Sequence, residues 1–340
     1  MLNKLTQFLL KTERDFTKEN KKVKPIFRDV LSWAEKRGVV EEFLKLITLP
    51  GRSTASKTFV SVSDMHVGSA MALTLPEMYV GDNDYSITPN RIGKRLFEAW
   101  LWCIDNLSQK PHCLGVLGEP MDGANVKQTG QQSYTTNIND QIKWSAELLK
   151  MIKALNIVMI RGSGYHVHKD ATNYEESVAR LIGAQRYRAY SPDKASVNPD
   201  LVHGFESEEL GAITDYFADI RINGKIFNLT HHIGYSKNEM YRTTGMAREM
   251  VTMKLSSDFY NKADIIARGH VHYFVEVGFT HTKGYTNPAW KLPDAHLLRG
   301  GQGGTKPDIG MVECIIESNE RVQLRPLIVD TNLKPRIKDI

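Results

Sequence analysis

Apolar and polar residues alternate along most of the chain in a way that predicts strands separated by helices. From residue 57 onward, short apolar runs such as residues 59–62 and 113–117 end at polar turns, as buried strands do. Between these runs, apolar residues recur every three or four positions, which is typical of amphipathic helices. This order of elements predicts a layered α/β fold.

The later strands follow one another more closely than the earlier ones. Strands are expected at residues 59–62, 113–117, 157–160, 214–222, 225–230, 264–268, 273–280, 311–317 and 321–329, and helices at residues 90–109, 138–155, 172–183 and 238–261. Strands with short connections usually pair antiparallel, whereas those joined through helices are typical of α/β layers. We therefore expect mixed β-sheets.

The first 56 residues show a different pattern. Apolar residues at helical spacing predict two short amphipathic helices before Pro50 and Gly51 end the segment. We therefore divide the chain into a helical extension, residues 1–56, and a main domain, residues 57–340. The extension is either a hairpin docked on the main domain or a small recognition module.

Composition is that of a globular protein. Apolar residues make up 41% of the chain and charged residues 24%, and no apolar run reaches the ~18 residues that span a bilayer. The N-terminus lacks the uninterrupted apolar stretch of a secretory signal. Three cysteines without a metal-binding or paired spacing fit a reducing compartment. These features predict a cytoplasmic protein with no membrane partner.

The net charge of +5 belongs to the N-terminal extension. Residues 1–56 contain 12 Lys and Arg against 7 Asp and Glu, and the other 284 residues carry 32 charges of each sign. A basic segment favours an acidic partner such as DNA or RNA, and Lys21, Lys22 and Lys24 form a cluster within it. The alternative is a solvated charged face that binds nothing.

Five polar turns with metal-binding side chains follow five of the predicted strands. The turns are Ser63-Asp64-Met65-His66, Gly118-Glu119-Pro120-Met121-Asp122, Arg161-Gly162-Ser163-Gly164-Tyr165-His166 with His168 beyond it, Thr230-His231-His232, and Gly269-His270-Val271-His272. Seven of the eleven histidines lie in these turns. Open α/β sheets bind ligands at the carboxyl ends of their strands. Carboxylates and imidazoles without thiolates suit Mn²⁺, Fe or Zn²⁺.

The order of these turns resembles that of the calcineurin-like metallophosphoesterase superfamily, whose pattern runs DxH, GDxxD, GNH(D/E), H and GHxH. The first and last motifs are intact as Asp64-x-His66 and His270-x-His272. The match covers about residues 57–329, and the altered third turn resembles that of phage-encoded members. The resemblance implies a sandwich of two mixed β-sheets flanked by helices and, for a phage protein, a location in the host cytoplasm.

The resemblance also implies roles for the turn residues. The metal ligands would be Asp64, His66, Glu119, His231, His270 and His272. Asp64, His66 and His272 would hold the first ion and His231 and His270 the second, with Glu119 as the bridge. His232 stays an alternative to His231. His166, or His168, would protonate the leaving group as a general acid.

Two departures from the family pattern affect the second metal position. Glu119 replaces an Asp, and its extra methylene must fit between ions about 3.5–4 Å apart. The family's Asn ligand is missing, because Ser163 follows Gly162 and a serine is a poor neutral ligand. We therefore expect one tight metal ion, with Mn²⁺ favoured, and a weaker second ion completed by His168 or water.

Such a site supports hydrolysis of phosphoesters. There, a metal-bound hydroxide would attack phosphorus in line while the cations would neutralise charge on the phosphate oxygens. The basic extension favours a phosphodiesterase or nuclease. The alternatives are a phosphatase for phosphomonoesters of proteins or small molecules, and a non-catalytic metal- or partner-binding protein on the same fold.

Overall fold

Most of the main domain is described by a computed structural model. The described residues are 55–81, 85–125, 130–169, 172–184, 213–236, 238–256, 261–295, 298 and 306–333. The predicted helices of the extension lie outside these residues, so the extension and its boundary at residue 56 stay predictions. No helix in the described ranges is both long and apolar enough to cross a membrane.

Strands account for most of the regular structure. In chain order they are β1 (Lys57–Val62), β2 (Met78–Tyr79), β3 (Ser86–Ile87), β4 (Cys113–Leu117), β5 (Asn156–Ile160), β6 (His168–Lys169), β7 (Thr172–Asn173), β8 (Phe217–Ile222), β9 (Lys225–Thr230), β10 (Ile265–Arg268), β11 (Val275–Gly278), β12 (Lys283–Thr286), β13 (Gly310–Ile316) and β14 (Val322–Ile328). Two short ladders pair β2 with β3 and β6 with β7.

The longer strands form two five-stranded mixed sheets. The first has the order β14-β13-β1-β4-β5, in which β1, β4 and β5 are parallel, β13 pairs antiparallel with β1, and β14 pairs antiparallel with β13. The second has the order β11-β12-β10-β9-β8, with β9, β10 and β12 parallel and the two edge strands antiparallel. The predicted mixed pairing is confirmed.

Helices cover the outer faces of both sheets. They are α1 (Arg91–Asp105), α2 (Ile138–Lys150), the single turn α3 (Gly164–Val167), α4 (Tyr174–Ile182) and α5 (Arg242–Leu255), which follows a 3₁₀ turn at Glu239–Tyr241. Leu96 and Trp100 of α1 pack in one core with the first sheet, and Met246 of α5 packs against Ile266 of the second. The two helix layers bury the outward apolar side chains of the sheets.

The alternation of side chains in β1 explains the layers. Successive side chains of a strand point to opposite faces, so Val60 and Val62 join the helix-covered core while Phe59 joins the core between the sheets. There the ring of Phe59 lies 4.8 Å from that of Phe227 in β9. The predicted fold class, a two-sheet sandwich flanked by helices, is confirmed.

Several elements differ from the sequence prediction, and the short strands β2, β3, β6 and β7 and the single turn α3 were not predicted at all. The helix expected at 238–261 is a 3₁₀ turn followed by α5, which ends at Leu255. Strand β12 was not predicted, because its four residues contain a glycine and three of them are buried, which leaves no alternation to detect. Its place is decided by two neighbours, β10 and β11, that pair with it.

Candidate metal centre

The ligand turns meet where the parallel strands of both sheets end. After β1, the Asp64 N–H donates to the Gly118 carbonyl beyond β4 (3.1 Å), and in the second sheet the Gly269 N–H donates to the His231 carbonyl (3.0 Å). The two sheets are joined here by the His270 N–H, which donates to Asp64 Oδ2 (2.9 Å). Strand direction thus brings four of the turns to one edge.

One group of side chains lies at the end of β1. Its members are Asp64, His66, Glu119 and His272, whose potential ligand atoms all lie within 4.8 Å of one another. Nε2 of His66 is 2.9 Å from Glu119 Oε2, and Nε2 of His272 is 3.2 Å from Asp64 Oδ1. These are the residues expected around the first ion, together with the expected bridge.

A second group lies at the ends of β9 and β10. It consists of His231, His232 and His270, again with potential ligand atoms within 4.8 Å. Nε2 of His231 is 3.2 Å from Glu119 Oε1, so the two oxygens of Glu119 face one histidine of each group. Glu119 therefore lies between the two groups, and its role as a bridging ligand stays a prediction.

Gly162 makes room for the longer side chain of Glu119. A Cβ atom at residue 162 would lie 2.5 Å from Glu119 Cγ and 2.7 Å from its backbone nitrogen, so no larger residue fits there without a shift. The Ser163 N–H donates to Glu119 Oε1 (3.1 Å) and fixes the direction of the carboxylate. The extra methylene is accommodated by a close approach of the two turns.

Three buried atoms of the expected metal ligands have no hydrogen-bond partner, namely Asp64 Oδ1, His66 Nε2 and His231 Nε2. Each costs about 1–3 kcal/mol when left unsatisfied. Their separations from neighbouring ligand atoms, 2.9–3.2 Å, match the ~3 Å between adjacent ligands of one ion when metal–ligand distances are ~2.1 Å. A divalent cation would satisfy all three atoms, so the residues fit the metal that the sequence implies.

Backbone strain is concentrated on the same residues. Five ligand candidates have φ between 47° and 72°, namely Asp64, His66, Glu119, His270 and His272. This left-handed region is uncommon for residues other than glycine and costs of the order of 1–2 kcal/mol per residue. Strain of this kind collects at functional sites, where the surrounding fold enforces it. Two mixed sheets that carry these turns in this order agree with the fold that the sequence resemblance implied.

Comparisons with known proteins give fold neighbours only. Neither a family model nor a curated protein matches the chain. A solved structure of Vps29 from Entamoeba histolytica with Zn²⁺ shares 10% identity and a TM-score of 0.35, covering 81% of this chain and 99% of that one. A predicted phosphoesterase from Streptococcus pneumoniae shares 8% identity and a TM-score of 0.30, with 81% and 99% covered. An archaeal phosphodiesterase shares 10% identity and a TM-score of 0.34, with 79% and 99% covered. At these TM-scores the likenesses carry no conclusion about activity.

Outer hydrogen bonds set which nitrogen of each histidine faces the site. Nδ1 of His66 lies 3.2 Å from Asp122 Oδ1, and Nδ1 of His231 lies 2.7 Å from the Leu117 carbonyl. Both partners only accept, so each Nδ1 carries the proton and Nε2 is left to bind a cation. Buried Lys291 donates to the same Asp122 oxygen (3.1 Å), which keeps that carboxylate charged.

Adjacent histidine rings of the second group have opposite pKa shifts. Burial alone would lower the pKa of His231, but the charge of Glu119 raises it to about 10. Burial and the neighbouring His231 lower the pKa of His270 to about 4. The carboxylate of Glu119 therefore attracts positive charge to this position. A divalent cation carries two positive charges where a proton carries one, so it suits the position better.

His166, the expected general acid, lies beside the first group. Its Nδ1 donates to the Asp122 carbonyl (2.8 Å), and its ring centroid is 4.6 Å from that of His66. Burial, then the nearby His66, lowers the pKa of His166 to about 4, so the ring is neutral near pH 7 and Nε2 is unprotonated. An anionic substrate would raise that pKa. The acid role stays a prediction, and the side chain of His168 lies outside the described residues.

Glu175 was missed by sequence reasoning. This fully buried residue in the first turn of α4 accepts the N–H of Glu119 (2.9 Å) and that of Gly162 (2.9 Å). Burial raises its pKa to about 7. In the sequence it is one more acidic residue at a helix N-terminus, and only tertiary contact shows that it holds two of the ligand turns together.

Replacing Glu175 with Ala is expected to lower the free energy of unfolding by about 2–6 kcal/mol. Two buried N–H groups would lose their acceptor, at about 1–3 kcal/mol each. Urea denaturation compares the variant with Glu147→Ala, which removes an exposed glutamate of α2 and should cost less than about 0.5 kcal/mol. Equal stability of the two variants would show that Glu175 does not hold the turns.

Proposed function

We propose that this chain is a metal-dependent phosphoester hydrolase. The observation that carries the proposal is the convergence of the ligand turns on buried atoms that lack hydrogen-bond partners. Bound divalent cations would supply the charge that neutralises a phosphate and activates water for attack on phosphorus. Mn²⁺ is the favoured metal, since carboxylate and imidazole ligands suit it.

The protein's own residues would hold and orient these ions. The first would be held by Asp64, His66, Glu119 and His272, and the second by Glu119, His231 and His270. Asp122 keeps the Nδ1–H of His66 turned away from the site, and the Ser163 N–H holds Glu119 in place. His166 stands beside His66, where it would meet the leaving group of a bound ester.

We propose a phosphodiester, within DNA or RNA, as the substrate. The support is the position of the basic excess, which lies wholly in residues 1–56 while the rest of the chain is neutral. A neutral body around a metal centre leaves the extension as the source of attraction for a polyanion. A phosphomonoester needs no such attraction.

The first test is hydrolysis of aryl phosphates by the full chain loaded with Mn²⁺. We expect bis(p-nitrophenyl) phosphate to be cleaved faster than p-nitrophenyl phosphate, and DNA or RNA to be degraded. A chelator should lower the rate at least about 100-fold, and added Mn²⁺ should restore it. Faster cleavage of the monoester would favour a phosphatase, and no cleavage of any ester by metal-loaded protein would refute a hydrolase.

Nucleic-acid binding by the extension has its own test. Replacing Lys21, Lys22 and Lys24 with Ala is expected to weaken DNA binding and to flatten the slope of log K against log salt by up to about 3. The matched control replaces Lys94, Lys143 and Lys150, three exposed lysines of the main domain. Fluorescence anisotropy at several salt concentrations measures both. Equal slopes in the two variants would show that the extension does not bind nucleic acid through these lysines.

A further inference from the structure

The third turn of the site lacks the neutral ligand that a second metal ion needs. Ser163 stands where the family has an Asn, and its backbone N–H already donates to Glu119 Oε1. Without a replacement, the second ion would be held by His231, His270 and one oxygen of Glu119. A further protein ligand for this ion would have to come from another turn.

We propose that His232 is this ligand, so that three histidines and Glu119 hold the second ion. The proposal rests on the metal-binding part of the proposed function. His232 follows His231 directly after β9, and His270 follows Gly269 after β10. The two strands are parallel, with Thr230 opposite Arg268, so the three rings are brought to one place by strand pairing alone.

The distances support a common ligand sphere. The centroid of the His232 ring lies 4.6 Å from that of His270 and 4.9 Å from that of His231. One nitrogen of each ring lies within 4.8 Å of those of the other two, which a small rotation of an exposed side chain reduces to ligand spacing. His232 is the exposed member of the three, so it can turn without disturbing the core.

An independent observation points to a cation at this position. His231 is buried, with 1% of its surface exposed. Its Nε2 has no hydrogen-bond partner, although Glu119 Oε1 lies 3.2 Å away. Its Nδ1 is occupied by the Leu117 carbonyl. A cation placed between His231, Glu119 and His270 would also be within reach of His232.

The chemistry of the set predicts a change in metal preference. Replacing a neutral amide oxygen with an imidazole nitrogen moves a site toward metals that favour nitrogen, such as Zn²⁺. The second ion would then be Zn²⁺ in preference to Mn²⁺, and it would exchange more readily than the first because one ligand is exposed to solvent.

Metal counting tests the proposal without measuring activity. Chelator-stripped protein is titrated with Zn²⁺ by calorimetry, and the bound metal is counted by mass spectrometry. We expect two ions in the wild-type chain. In His232→Ala, the first ion should bind as before, and the second at least tenfold more weakly.

Two further variants make the result specific. Ser163→Ala tests the buried Ser163 hydroxyl, which also lacks a hydrogen-bond partner, and His281→Ala removes an exposed histidine of the β11–β12 turn. Both should keep two ions. The proposal would be overturned if Ser163→Ala lost the second ion while His232→Ala kept it. Equal metal binding in the wild type and all three variants would overturn it as well. Two bound ions without hydrolysis of any ester would refute the proposed function and leave the assignment of His232 intact.

Discussion

Replacing His66 with Ala is expected to lower kcat/KM for an aryl phosphodiester by more than about 100-fold and to remove the tighter metal ion. His66 is buried, its Nε2 lies 2.9 Å from Glu119 Oε2, and its Nδ1 is held by Asp122. Removing a residue that hydrogen-bonds to a metal ligand usually lowers metal affinity or activity 10–100-fold. Removing the ligand itself should lower them by more than that. Asp122→Asn should fall within the ~10–100-fold range.

The control for this prediction is His281→Ala, which should keep the wild-type rate and metal content. Urea denaturation in the presence of a chelator separates loss of a ligand from loss of the fold. A folded His66→Ala variant with a rate within tenfold of wild type would exclude this residue as a ligand. His270→Ala is expected to behave in the same way at the second position.

Replacing Gly269 with Ala is expected to disrupt the site by overpacking. A Cβ atom there would overlap Ser63 Oγ and would lie 2.8 Å from the Leu117 carbonyl and 3.0 Å from His231 Nδ1. Ser63 Oγ donates to Asp64 Oδ2 (2.5 Å). The overlap would therefore displace Asp64, a candidate ligand of the first ion, as well as His231, a candidate ligand of the second. We expect the free energy of unfolding to fall by about 1–3 kcal/mol. A misplacement of ~1 Å should cost about 100-fold in rate.

Gly278→Ala is the matched control, because a Cβ atom at residue 278 of β11 would meet no other atom within 4 Å. Neither glycine has φ in the left-handed region, so the two substitutions differ in contacts and not in backbone strain. Gly278→Ala should change stability by less than about 0.5 kcal/mol. Similar stability and similar rates in the two variants would show that the turn can yield without moving the ligands.

The local pattern of the chain was sufficient for the layered fold and for most of the candidate site. Apolar runs that end at polar turns located β1, β4, β5, β9 and β10, because burial and strand length leave a signal within a few neighbouring residues. The ligand-rich turns followed from the same pattern, since parallel strands of one sheet end at the same edge. Boundaries were less accurate, as α5 shows, because helix ends depend on packing.

Contacts between distant segments were not predictable in the same way. Glu175 accepts the N–H groups of Glu119 and Gly162, which lie 56 and 13 residues away, and no local pattern marks such a residue. Lys291 and Asp122 meet across 169 residues. Each of these pairs depends on how the sheets and helices pack, so their members look like ordinary charged residues in the sequence.

The sequence by itself determined the order of strands and helices, the turns that carry metal-binding side chains, and the placement of the basic charge in residues 1–56. These are properties of neighbouring residues. The tertiary structure alone decided that Glu119 faces both histidine groups, that His232 stands beside His270, and that Glu175 holds two turns. The physical reason is that the pairing of the two sheets sets distances between residues far apart in the chain, and coordination chemistry depends on those distances.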